Sequence, residues 1–134
     1  MRGFIPYSNE DGRKTPWQYL PVSAIKPSIG MALVMSSGKL AIATGTTKPQ
    51  YISMYEAADT MTAGDIIPVI PVLPDEIFET TNSASLASVY VGQKVTLHAS
   101  NGCQVTGTTS SGVAEIVDKV DGSGTGNRVL VKFS

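Results

Sequence analysis

Four groups of residues in this chain are of types that could do chemistry. His98 is the only histidine, it closes a short apolar run, and no carboxylate lies nearer in sequence than Glu115. A catalytic base or a zinc site needs more partners than that, so His98 reads as a surface residue. Cys103 is the only cysteine, which excludes an intramolecular disulfide. It reads as a small buried hydrophobe beside the Asn101-Gly102 turn. Asp75, Glu76 and Glu79 are the nearest approach to paired carboxylates. Acid–base chemistry needs two carboxyls held across a cleft, and these follow an apolar run, so they read as surface acidity. Gly122-Ser123-Gly124-Thr125-Gly126 has the glycines of a phosphate loop but not its Lys-Ser/Thr ending, and no helical pattern follows. No catalytic, metal-binding or cofactor-binding residue is assigned, and the sequence reads as that of a non-enzyme.

A different kind of candidate lies at the N-terminus. Residues 1–19 place Phe4, Ile5, Pro6 and Tyr7 before the polar cluster Asn9-Glu10-Asp11-Gly12-Arg13-Lys14, and the only tryptophan, Trp17, with Tyr19 after it. The pattern has no regular period. It is expected to form an arm that docks by its aromatic side chains, with an N-terminal strand across the barrel end as the alternative. On the docking reading, removing residues 1–18 leaves a folded domain that no longer binds its partner.

The elements behind this arm read as strands. Ile66 to Pro74 is an unbroken apolar run, β-branched at Ile66, Ile67, Val69, Ile70 and Val72, and too short to span a membrane as a helix. Pro68, Pro71 and Pro74 cannot donate to a ladder, so the run is expected to be extended and buried but not an ordinary central strand. Met31–Ser36 and Lys39–Thr44 flank Ser37-Gly38 as a tight hairpin. Asn101-Gly102 marks a second hairpin, Val113–Val120 and Arg128–Phe133 are further strands, and the glycine-rich stretch between them is a flexible tip. The stretch 82–89 fits a short helix or a loop. About nine short strands are expected, in one all-β, antiparallel, barrel-like domain over residues 20–134.

Composition sets the remaining bounds. The chain has 134 residues, of which 16% are charged, with a net charge of −1. That balance gives no argument for binding nucleic acid or an anionic membrane. Residues 1–50 nevertheless carry six basic and two acidic side chains, and residues 51–100 carry one basic and six acidic. Opposed regions of this kind suit subunits that dock on one another. The N-terminus lacks the apolar core of a signal peptide, so synthesis and maturation in a cytoplasm are expected.

Several segments together resemble the small capsid decoration, or cement, proteins of tailed bacteriophages. They are Gly30 to Val34, Gly38 to Leu40, Ala43 to Thr46, Lys48 to Met54 and Gly64 to Val69, followed by Phe78 to Thr81, Val91 to Leu97 and Val113 to Val117. The matches span about Val22 to Phe133 and leave the first twenty residues outside. The resemblance implies a β-barrel or β-tulip-like subunit on the outer surface of a phage head, commonly a homotrimer, whose partner is the major capsid protein. The competing reading is a carbohydrate- or receptor-binding module of a phage fibre, using Trp17, Tyr19, Tyr55 and Tyr90. A fibre module is expected to continue into a repetitive shaft, whereas this sequence stops one residue after its last strand. A hydrolase with a dispersed site is the weakest of the three readings.

Overall fold

The computed structural model describes residues 2–9, 12 and 14–133. Glu10, Asp11 and Arg13 of the expected polar turn lie outside the described residues. The fold is all-β: eleven strands and no helix among the described residues. They are β1 (Ile5–Ser8), β2 (Gln18–Pro21), β3 (Ala32–Ser36), β4 (Lys39–Ile42), β5 (Tyr51–Ser53), β6 (Ile66–Pro71), β7 (Ile77–Asn82), β8 (Lys94–Val95), β9 (Gln104–Val105), β10 (Ala114–Asp118) and β11 (Arg128–Phe133).

Two sheets share these strands. One has the order β1-β7-β11-β10-β8, with β9 added to β7 in parallel, and the other has the order β2-β6-β5-β3-β4. All other ladders are antiparallel. The five-stranded sheet curls until its outer strands approach, where Val22 bridges Leu40 and the Ser23 N–H donates to the Leu40 carbonyl at 2.9 Å. The all-β, largely antiparallel domain expected from the sequence is thus realised as two packed sheets.

Alternation divides the apolar side chains between two clusters. Leu33, Leu40, Ile67 and Val69 fill the concave side of the five-stranded sheet together with Val22, Met31 and Cys103. Ala32, Ile52 and Ile70 leave the same strands in the opposite direction and meet Phe4, Phe78, Val129, Val131 and Phe133 between the sheets. β3 and β6 thus feed both clusters, one from each face. The Ser37-Gly38 hairpin forms as expected, with φ of 51° and 81°, the left-handed pair that matches strand twist in a two-residue turn.

Four expectations are corrected. First, β6 is a central strand despite its prolines, paired with β2 on one side and β5 on the other. In a strand, the N–H and C=O of one residue point to the same neighbour. The Pro68 carbonyl accepts from Met54 N–H at 3.0 Å, one residue past the end of β5. The donor that Pro68 lacks is therefore missing where that ladder has ended. Val72 N–H turns to Gln50 at 2.9 Å, so Pro71 faces the other way, beyond the start of β2 at Gln18. Both prolines fall where no acceptor waits.

Second, the acidic run after the apolar one is not simply surface acidity. It becomes β7, flanked by β1 and β11, and Glu76 just ahead of it is buried. Third, the described residues of the segment 2–19 do not form an arm outside the fold but follow the alternative reading, with strands laid on the domain. β1 pairs with β7, β2 pairs with β6, and Phe4 lies wholly inside the inter-sheet cluster. The segment is locked where Gly3 crosses Gly30: Gly3 N–H donates to Ile29 at 2.9 Å and Phe4 N–H to Gly30 at 2.6 Å. Gly30 has φ of +85°, and a Cβ on Gly3 would stand 2.3 Å from the Gly30 oxygen, so neither position has room for a side chain. Fourth, the glycine-rich tip is tied down rather than flexible, because Leu86 N–H donates to Ser123 and Gly126 N–H to Asn82, both at 2.8 Å. Residues 83–89 form a loop beneath it.

Candidate functional site

The chemistry-bearing residues are dispersed. His98 uses Nδ1 to accept from the backbone N–H groups of Ser100 and Asn101 at 3.1 and 3.2 Å, which fixes the following turn. Cys103 is buried, and burial pushes its thiol up to about 11, so at neutral pH it is a protonated hydrophobe. Glu79 faces Arg128, 3.8 Å from its guanidinium, while Glu76 points elsewhere. Among the described residues no three His, Cys, Asp or Glu side chains are grouped to hold a metal ion.

The surface of the five-stranded sheet along β2 and β6 is of a different character. Ile66, Pro68 and Ile70 share the face of β6 that carries Ile70 into the inter-sheet core. The six-stranded sheet covers only one end of that face, so Ile70 is buried, Pro68 is half-buried and Ile66 is 57% exposed. On β2, Tyr19 stands opposite Pro68 and Pro21 opposite Ile66, placing Tyr19 on the same outer face. Tyr19 is 65% exposed and Trp17, two residues before it, 55%. The core face of β6 thus runs out onto the surface as an apolar strip edged by two aromatic rings. Exposed apolar strips on a folded domain mark places where something else docks.

The strip leads into an open groove of about 520 Å³ between the two sheets. Met54 and Ile70 supply its apolar lining, and Tyr7 and Trp17 supply aromatic rings. A register shift between Pro6 and Ser8 in the β1–β7 ladder interrupts the strand at Tyr7, which is exposed. Bulges commonly re-aim a side chain in this way beside functional surfaces. Glu76 also lines the groove, and its Oε2 accepts from the Thr15 hydroxyl at 2.9 Å.

Of the expected contact residues, the structure brings Pro6, Tyr7 and Trp17 together at the groove and places Tyr19 on the adjoining strip. Ile5 is only half-buried on β1, and Phe4 is removed from the candidates because no part of it reaches the surface. Tyr90 belongs to the connection between β7 and β8, away from these strands in the chain. Sequence reasoning missed Ile66, Met54 and Glu76. The alternation Ile66, Pro68, Ile70 against Ile67, Val69 was a usable signal for the first of these, whereas nothing local marks the other two. No protein-family model matches the chain, and no curated protein matches it.

Proposed function

We propose that this protein is a capsid decoration protein, bound to the outer surface of a tailed-phage head and stabilising it by bridging neighbouring copies of the major capsid protein. The observation that carries this reading is the apolar strip of Trp17, Tyr19, Pro68 and Ile66, laid on a rigid sheet and continuous with the core. Aromatic side chains held by a rigid scaffold pay little conformational entropy on docking, and such residues dominate interface energetics. The resemblance of residues 22–133 to decoration proteins names the partner. A homotrimer is the assembly proposed, supported by the opposed charge of residues 1–50 and 51–100.

The test is co-sedimentation with undecorated phage heads. The protein is expected to pellet with heads and to raise the temperature at which they release DNA. Failure of the folded protein to pellet overturns the reading. A carbohydrate-binding module is the second reading, favoured by Tyr7 and Trp17 at one open groove. Retention on immobilised glycans, without binding to heads, selects it.

A further inference from the structure

We infer that the groove is a receptor for a cationic side chain, the ammonium of a lysine or the guanidinium of an arginine, presented by the polypeptide on which the apolar strip docks. The inference rests on the decoration reading for the identity of that polypeptide, but its chemistry stands on the groove alone.

Glu76 is the reason. Its residue surface is only 3% exposed, yet no described lysine or arginine forms an ion pair with it. The side-chain contact it does make is with a neutral group, the hydroxyl of Thr15 on Oε2. A carboxylate taken out of water is ordinarily matched by a cation or by several donors, and one hydroxyl is a small compensation. The carboxylate lines a groove large enough to admit a long side chain. The rest of the lining suits the same guest. Tyr7 and Trp17 offer aromatic faces, whose quadrupoles attract a cation lying over them. Met54 and Ile70 offer apolar surface to the methylene stem of a lysine or arginine. Lys14 is also at the groove and exposed, without an ion pair to Glu76. It is the one described positive charge there that a guest cation would have to tolerate.

The experiment is an NMR titration of the full chain, followed at the indole N–H of Trp17, which is the only tryptophan signal. The probes are N-acetyl-lysine methylamide and N-acetyl-arginine methylamide, with N-acetyl-norleucine methylamide and cellobiose as neutral controls. The cationic probes are expected to shift the signal saturably, and norleucine to bind at least about tenfold more weakly. Glu76→Gln, which keeps the shape and removes the charge, is expected to weaken the cationic probes by about tenfold or more. Lys14→Gln, at an exposed position where folding is not at stake, is expected to strengthen them. Equal binding of norleucine and lysine, binding of cellobiose in their place, a silent indole signal, or unchanged affinity in Lys14→Gln overturns the inference. Heads distinguish this failure from that of the decoration reading. Protein that pellets with heads but gives a silent titration removes the cation receptor alone, and a positive titration by protein that ignores heads removes decoration alone.

Discussion

The ring of Phe4 stands edge-on against that of Phe133, with centroids 5.1 Å apart and planes at 68°. Phe78 packs on the other contact of Phe133 at 5.7 Å, so the two ends of the described chain meet at one aromatic group between the sheets. The N-terminal segment is held by its burial as well as by its strand pairing. That relationship governs what truncation does.

Phe4→Ala is expected to destabilise the fold by about 3–5 kcal/mol, the usual cost of emptying a buried phenylalanine site. Chemical denaturation of the variant reads this directly. Deleting residues 1–18 should give a protein without a cooperative transition, since it removes Phe4, β1 and the first residue of β2 together. A truncated chain that melts as sharply as the whole would show that the inter-sheet core closes without Phe4.

Trp17→Ala and Tyr19→Ala are expected to behave in the opposite manner. Both side chains are largely exposed, so each change should alter stability by no more than roughly 0.5 kcal/mol. Head binding should fall sharply, by about 2 kcal/mol or more where one of them is a docking anchor. Co-sedimentation and thermal melting on the same samples separate the two effects. Loss of melting temperature in step with loss of binding would count against a docking role.

Cys103 should resist alkylation. Burial lifts its pKa to about 11, so at pH 8 the native protein holds almost no thiolate and offers little access to it. Iodoacetamide is expected to label the protein at the rate of global opening and rapidly once denaturant is added. Immediate labelling of native protein at pH 8 would show that the concave cluster of the five-stranded sheet opens locally.

Asp121 and Arg128 give a small pH dependence of known sign. The Arg128 guanidinium grips Asp121 at 2.9 and 3.0 Å and holds its carboxyl below the ordinary value of 3.8. A carboxyl with a lowered folded-state pKa contributes stability above its unfolded pKa and loses it as pH falls through the folded one. The contribution is therefore present at neutral pH and fades below pH 3.8. Both groups are exposed, so solvent screening keeps it small. Asp121→Asn should lower the melting temperature slightly at pH 7 and leave it unchanged near pH 2. An equal loss at both pH values would show that the effect does not come from the ionised carboxylate.

What the sequence determined by itself is the local part of this structure. A two-residue Ser-Gly centre needs left-handed φ values wherever it sits, and Val129, Val131 and Phe133 fall on one face of any extended strand. Turn residues and period-two alternation therefore specify an all-β chain without reference to its partners. Coverage is not local. Pro68 and Pro71 are tolerated in a central strand only because β5 ends at Ser53 and β2 begins at Gln18, facts set elsewhere in the chain. Phe4 reads as a docking side chain until β1 is laid against β7 and Gly3 crosses Gly30. Glu76 reads as a solvated carboxylate until Thr15, sixty-one positions away, is folded against it. Only the tertiary structure decides these three, because burial is a property of which surfaces meet, and an alternating pattern names the face of a strand without naming what covers it.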